Sequence, residues 1–469
     1  MPDIALTQGH LGRPRLELPP VRFVNAYLEA SPGGPTKAVR TSRPGLTKQY
    51  TLGAGPILRV FQKPGLFNSQ PFAVSGGSLY MGNTNLGTVA YSLAPRFAAA
   101  QTFLTLVVGG ALYSYNGASL ETVSYFDDGY SLLPPFSGQA VLYNIWVYPV
   151  VNSNQFFFSN VGNPTVINAA NFSNAQVSPT PIVEVAVLGE ELYFFKTDTV
   201  EIWDFTGNLT APFAEQAGRT YARGCSAQGS VCLLDNSLFW LGDDYVVYRT
   251  GTVPQRISTS FIEDRLKAEA NQGDIASVTA LSFGIEGHVF YVINLPALSL
   301  SFAYDAQTKQ WFQWGTQTTA QAEPQIWQSG TCSGQGDALW AGSWNDGRLF
   351  LIDETNHSDD GVPIRVVIAG ARWIEEGVER ANNLAIQMVR GVATSVVPDP
   401  LIQMRWSEDG GRTWTTWTQG ALGQIGGYRW KASWHSLGLI KQPGREFEFA
   451  ISDAVNVTLE SATINPPRR

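Results

Sequence analysis

The stretch GEELYFFKTDTVEIWDFTG, residues 189–207, reads as a short apolar strand, a turn and a second apolar strand. Its aromatic and β-branched residues suit a pleated, half-buried surface. The phrase recurs as GGSLYMGN at 76–83, GGALYSYNG at 109–117 and DNSLFWLGDDYVVYRTG at 235–251. It returns as EGHVFYVINLP with SLSFAYDAQTKQWFQWG over 286–315 and as GDALWAGSWNDGRLFLIDE at 336–354. A weaker version, YNIWVYPVVNSNQFFFSN, lies at 143–160. The aromatic anchors Tyr80, Tyr113, Trp146, Tyr193, Trp240, Tyr291 and Trp340 follow one another at intervals of 33 to 51 residues. A repeat of that length, built of short strands, is the signature of propeller blades. The uneven spacing predicts an irregular β-propeller of six or seven blades over residues 51–355. The competing arrangement is a stack of β-sandwiches.

The composition fits an all-β chain. Of 469 residues, 44% are apolar and 12% aromatic while only 15% are charged, which is enough to fill large cores and too apolar for disorder. The 46 glycines and 27 prolines supply many turns. The length allows about three domains. A net charge of −8 leaves no basic footprint for nucleic acid. No apolar run reaches the roughly 18 residues of a membrane span. The start, MPDIALTQGHLGRPR, has no apolar core of a secretory leader, so the chain is expected to be made and kept in a cytoplasm or assembled there into something larger.

After HSDDG (357–361) the blade phrase stops. Alternation then runs through Trp430, Ala432 and Trp434, through Phe447, Phe449 and Ile451, and through Val455, Val457 and Leu459, which predicts a β-sandwich over 356–469. That region holds SEDGGRTW (407–414), a pattern resembling the Asp-box turns of sialidases. Ile402, Met404 and Trp406 lead into it as a strand, Asp409-Gly410-Gly411 reverses the chain, and Thr413 and Trp414 are expected to open the return strand. Sialidases resemble one another in carrying several such boxes. One copy points to a turn and away from a sugar-cleaving site. Residues 1–50, which include ASPGGPTKAVRTSRPGL, read as an extended N-terminal arm that adds a strand elsewhere or reaches a neighbour. One helix is expected, opened by a capping box from Ser260 to Glu263.

Little in the chain asks for chemistry. His10, His288, His357 and His435 are far apart in sequence. His288 reads as a satisfied strand-end residue, and His435 faces opposite Trp434. Cys225, Cys232 and Cys332 read as small buried thiols, since no second pair completes a zinc set. The acidic pairs Asp127-Asp128, Asp243-Asp244 and Asp359-Asp360 read as solvated loop tips. Arg59, Arg96, Arg219, Arg223, Arg249, Arg256 and Arg348 lie in the propeller region but form no recognisable motif. No nucleophile elbow, zinc helix or phosphate loop occurs. We therefore assign no catalytic, cofactor-binding or metal-binding residue, expect no cofactor, and read the chain as a non-enzyme.

From Glu201 onward, EIWDFTG, GCSAQGSVCLLDNSLFWLG, PQRISTSFIE, EGHVFYVINLP and FAYDAQTKQWFQW follow in order. With NAYLEASPGG…RPGL (Asn25 to Leu46) and SEDGGRTW, this series resembles the packaged-DNA stabilisation proteins of short-tailed bacteriophages. The likeness spans about 25–465 and is weakest over 85–180. It implies a hexameric tail hub or nozzle below the portal, a structural part of the virion tail made in the host cytoplasm. Such a ring closes the channel after DNA packaging, sits under a portal-adaptor (head-completion) protein, carries tailspikes or tail fibres and a plug or needle, and conducts DNA on ejection. Six subunits of −8 give a ring of −48, so its lumen is expected to be acidic or small and polar and to pass DNA without tight binding. The alternative is a sialidase-like glycosidase or a sugar-binding propeller.

Overall fold

The computed structural model of the protein describes residues 3–6, 22–30, 38–92, 95–319, 322–332, 338–374 and 377–465. His10 and residues 31–37 of the N-terminal stretch lie outside them. Contacts divide the chain into two units. The propeller unit is Lys48–Ser299 with Gln328–Leu351, and the sandwich unit is Met1–Thr47, Leu300–Trp327 and Ile352–Arg469.

In the propeller unit, five four-stranded antiparallel sheets follow in sequence over 57–88, 96–123, 140–174, 182–221 and 232–256. A sixth element is the hairpin Thr279–Ile285 with His288–Leu295. The last sheet is built from Ser329–Cys332, Trp340–Ser343 and Arg348–Asp353, and its fourth strand is Gly45–Thr51 from the beginning of the chain. Leu52 N–H donates to the Gly347 carbonyl at 2.6 Å, and Tyr50 stacks on Trp340 with ring centroids 5.8 Å apart. Leu52, Ile57, Val60, Ala73 and Leu349 form one buried cluster across this first-to-last junction.

The seven inner strands begin at residues 57, 96, 140, 182, 232, 279 and 329, so successive blades start 39 to 50 residues apart. That is more even than the aromatic anchors suggest. The Leu-Tyr phrase marks a hairpin and not a fixed strand of the blade. It falls on the third strand in the first two blades (Ser78–Met81, Ala111–Tyr115) and on the second in later ones, such as Glu191–Lys196 and Ser237–Leu241.

Neighbouring blades bury aromatic rings against each other. Phe156 stacks on Phe194 at 4.6 Å, and Trp203 meets Phe156 edge-on at 5.3 Å. Phe195 meets Trp240 edge-on at 5.4 Å. Within the phrase at 189–207, Lys196 and Glu201 are both fully buried and pair at 2.8 Å, and Lys196 Nζ also donates to the Ala175 carbonyl at 2.8 Å. A charged pair at the ends of a tight turn is stable here only because each partner removes the other's unmet charge.

The helix Ser260–Gln272 forms, but without the expected capping box. Its N-cap is Thr259, which makes no side-chain cap. Glu263 is taken instead by a forked pair of bonds from Arg256, at 2.7 and 2.6 Å, and by the Ser258 hydroxyl at 2.8 Å. A bidentate guanidinium outcompetes a single backbone N–H for a carboxylate.

In the sandwich unit, one layer runs Thr418–Ala421, Leu401–Ser407, Gly444–Ile451, Val366–Trp373 and Phe23–Val24. The other runs Ser433–Lys441, Val378–Met388, Thr458–Ile464, Ala38–Ser42 and Ala26–Ala30. Trp434 of the second layer lies 6.2 Å from Phe449 of the first. The hairpin Leu300–Asp305 with Gln310–Trp314 joins the first layer, Val24 pairing with Gln313. The N-terminal segment thus contributes strands to both layers.

Its anchor is Arg43, fully buried. Arg43 donates to both oxygens of Asp359 at 2.9 and 2.6 Å, to Asn25 Oδ1 at 2.9 Å and to the Gly315 carbonyl at 2.8 Å, and lies over the Trp327 ring. Asp359 is therefore not a solvated loop tip as its sequence suggests. It is the buried counter-charge of Arg43, with 3% of its surface exposed.

SEDGGRTW is a turn held by its own side chains. Asp409 Oδ1 accepts the N–H groups of Arg412 and Thr413 at 3.0 and 2.8 Å, Ser407 Oγ accepts Gly411 N–H at 2.9 Å, and Trp414 Nε1 donates to the Gly411 carbonyl at 3.0 Å. The Thr413 hydroxyl and these N–H groups hold the Asp409 carboxyl well below the usual carboxylate range. The return strand starts at Thr418, later than expected, because Thr413 is committed to Asp409 and Trp414 lies under Arg405.

Two outcomes follow from these packing arrangements. A Cβ at residue 347 would meet the Leu52 carbonyl oxygen at 1.7 Å. Gly347→Ala is expected to break the junction of first and last blades and to cost on the order of 3 kcal/mol, read by chemical denaturation. Glu446, 6% exposed, is pushed up to about 7 by burial and by the charges of Glu448 and Asp409. Its neutral form is favoured in the fold, so its contribution is full below the ordinary value of 4.5 and is lost as pH rises towards 7. Glu446→Gln is expected to stabilise the protein at pH 8 by about 1–3 kcal/mol and to have no effect at pH 4, measured as the difference between matched unfolding curves.

Candidate functional site

An inner strand is the first of its blade, so the backbone of one of its edges meets no neighbouring strand and turns to the axis. Seven such strands, represented by Leu58, Ala98, Ala140, Val185, Cys232, Leu281 and Thr331, line a cavity of about 370 Å³ within the propeller unit. Among the described residues, the charged ones that line it are Arg59, Lys63, Arg96 and Glu184.

Arg96 and Glu184 form a buried ion pair through Arg96 Nε, their side chains 7% and 4% exposed. Arg96 Nη2 also donates to the Gln228 carbonyl at 2.6 Å. Gln139 Nε2 donates to the Arg96 carbonyl at 2.7 Å, and its Oε1 accepts from the Thr105 hydroxyl at 2.7 Å. Gln228 Nε2 donates to the Ser137 carbonyl at 2.5 Å. One guanidinium therefore ties the second blade to the fourth and to the turn that precedes the fifth, while two amides tie in the third. Gly138 is needed for close approach, since a Cβ there would come within 2.8 Å of Glu184 Oε1.

Of the seven arginines noted in the sequence, Arg59 and Arg96 line this cavity. The others are engaged on the blades. Arg219 pairs with Glu191, Arg223 with Asp244, Arg249 with Asp235, Arg256 with Glu263 and Arg348 with Asp346. In the acidic pairs of the propeller, Asp128 closes a turn by accepting from Tyr130 and Ser131 N–H and Asp244 by accepting from Val246 N–H, while Asp243 accepts from the distant Gly224 N–H. His288 is buried and stacked on Phe290, and His435 is exposed on the face opposite Trp434.

Burial pushes the Cys232 thiol up to about 11 and the Cys225 thiol up to about 12, so both are protonated at neutral pH and poor nucleophiles. Glycoside cleavage commonly uses two carboxyl groups flanking the sugar bond. Among the described lining residues Glu184 is the one carboxylate, and Arg96 holds it. What the arrangement does chemically is brace blades together around a positively charged pocket.

Sequence reasoning singled out Arg96 but missed Glu184, Gln139 and Gln228. The signal for Glu184 was present: a lone carboxylate inside the apolar run PIVEVAVL, 181–188, needs a buried partner.

Residues 17–357 match the family model described as "Bacteriophage P22 Gp10, beta-propeller". The chain belongs to this family of phage packaged-DNA stabilisation proteins. No curated protein matches it. Among solved structures, it is similar to the computationally designed Ika8 protein (13% identity, 75% of this chain and 100% of that one, TM-score 0.37). It is also similar to BBS1N in complex with ARL6DN (10%, 67% and 98%, TM-score 0.41) and to the N-terminal domain of Nup159 (11%, 71% and 98%, TM-score 0.40). At such scores none of these likenesses carries an argument about function.

The brace makes a separable prediction. Arg96→Met or Glu184→Gln alone leaves the other group buried without its partner and is expected to cost about 3–5 kcal/mol. Arg96→Met with Glu184→Leu should recover a large part of that, because no charge is left stranded. Denaturant unfolding of the three variants reads the cycle. A double variant whose loss equals the sum of the two single losses would mean that the pair does not act as a unit.

Proposed function

We propose that the chain is a structural subunit of the phage virion, a tail hub or nozzle that assembles as a hexameric ring below the portal and its adaptor. The observation that carries this reading is the family match over 17–357, in a chain that also holds a sandwich unit. The ring closes the channel after packaging, offers its outer surface to tailspikes or fibres and to a plug or needle, and conducts DNA on ejection. A closed ring of identical subunits needs two different complementary patches on each copy. Two separately packed units are a simple way to supply them.

The charge balance suits a conduit. Duplex DNA carries about one negative charge per 1.7 Å of axis, and each basic contact adds an energy that must be broken as DNA moves. Six subunits of −8 give −48, which favours a wall that repels DNA; retention then falls to a gate or plug.

Six copies of 51.1 kDa give about 307 kDa. Light scattering and negative-stain microscopy of the purified protein, alone and with portal complexes, are expected to show a ring of that mass. A protein that stays monomeric in the presence of portal complexes would sink the hub reading. Linear duplex DNA at about 0.15 M salt, where charges are screened within roughly 8 Å, is expected to bind weakly. Sub-micromolar binding that weakens steeply with salt would mean a basic lumen.

A further inference from the structure

Among the described residues, three of the four charged side chains lining the axial cavity have partners. Arg96 and Glu184 answer each other, and Lys63 Nζ donates to the Ala99 carbonyl. Arg59, on the inner strand Ile57–Phe61, is different: among the described residues it makes no hydrogen bond and no ion pair. Burial, and then repulsion from Arg96, lower its guanidinium to about 10. It remains a cation at neutral pH, half-buried, and among the described residues the carboxylate that acts on it, Glu184, is already held by Arg96. Such a group is costly unless something negative meets it.

The cavity has the chemistry for one kind of visitor. A guanidinium presents a rigid fork of N–H donors that fits two oxygens of one anion. Thr331, on the inner strand Ser329–Cys332, lines the same cavity, but its hydroxyl is closed off against Gly342 and does not reach the cavity space. The two arginines and Lys63 against Glu184 leave the lining with an excess of positive charge. About 370 Å³ is many times the roughly 30 Å³ that a water occupies in the liquid, so a small ion fits with part of its hydration. A cation is repelled, and a nucleic-acid duplex is too large to enter.

We propose that the axial cavity of the propeller binds a small free oxyanion of the phosphate or sulfate class on the Arg59 guanidinium, within the positive field of Arg59, Lys63 and Arg96. The anion supplies the counter-charge that the inner strands lack and so stabilises the closed ring of blades. The site is independent of any role in tail assembly.

The test uses the full chain in chloride buffer, titrated with inorganic phosphate and then sulfate by calorimetry and thermal unfolding. Saturable binding is expected, and at about a hundred times the dissociation constant the unfolding midpoint should rise by several degrees. Arg59→Gln should lose both effects while unfolding in chloride at the same or a higher temperature, because its repulsion of Arg96 is gone. A merely structural arginine would lower that temperature. Arg59→Lys keeps the charge without the fork and should bind at least ~10-fold more weakly. It decides the matter if the glutamine variant does not fold. No saturable binding to the wild type would overturn the proposal, as would an affinity unchanged in either variant. A carboxylate of the chain already occupying the place would give the first of these results.

Discussion

A ring of blades has no covalent closure, and in this propeller the constraint falls on a single strand. Gly45–Thr51 completes the sheet that Arg348–Asp353 leaves open. Everything radial depends on that junction, because an unpaired edge would leave backbone N–H and carbonyl groups without partners. The local chemistry is specific. Gly347 has no side chain, so the Leu52 backbone passes against it. Tyr50 lies flat on Trp340, and Ser75 Oγ donates to the Leu52 and Gly55 carbonyls at 3.1 and 2.7 Å.

Closure brings a second problem to the axis. Seven inner strands converge where polar backbone edges face a narrow space. The molecule answers with buried side-chain polarity. Arg96, Glu184, Gln139 and Gln228 satisfy one another and the surrounding carbonyls. The same device appears in the fourth blade as Lys196 with Glu201, and in the sandwich unit as Arg43 with Asp359. In a chain with 15% charged residues, three buried ion pairs among the described residues are a large commitment. Such pairs contribute little net stability, yet they strongly penalise any arrangement that separates them. Each joins residues that a misregistered blade or strand would part, so each selects one arrangement over its neighbours.

This division of labour suits a part whose work is mechanical. The propeller interior holds no pair of carboxylates and no activated thiol among the described residues, and its one Asp-box lies in the sandwich unit as a self-satisfied turn. Membership in the phage packaged-DNA stabilisation family agrees with that economy of design. On the function proposed above, surfaces do the work, and the buried pairs and the junction of first and last blades stiffen the propeller unit that presents some of them.

The sequence by itself determined the repeat, the all-β class and the turn at Asp409. All of these are local: strand alternation, a recurring hairpin and an acid that binds the next few N–H groups are written within a dozen residues. The count of seven inner strands was hidden, because the Leu-Tyr phrase marks a hairpin whose place in the blade shifts from the third strand to the second. The capping box failed because Arg256, four residues before the helix, claimed Glu263. Asp359 looked like a solvated tip because its partner Arg43 lies 316 residues away. Glu184 and Arg96 are 88 residues apart and meet only across the axis. Charge pairing over such distances has no periodicity to read. It is decided by which strands the closed ring brings together, and only the tertiary structure contains that fact.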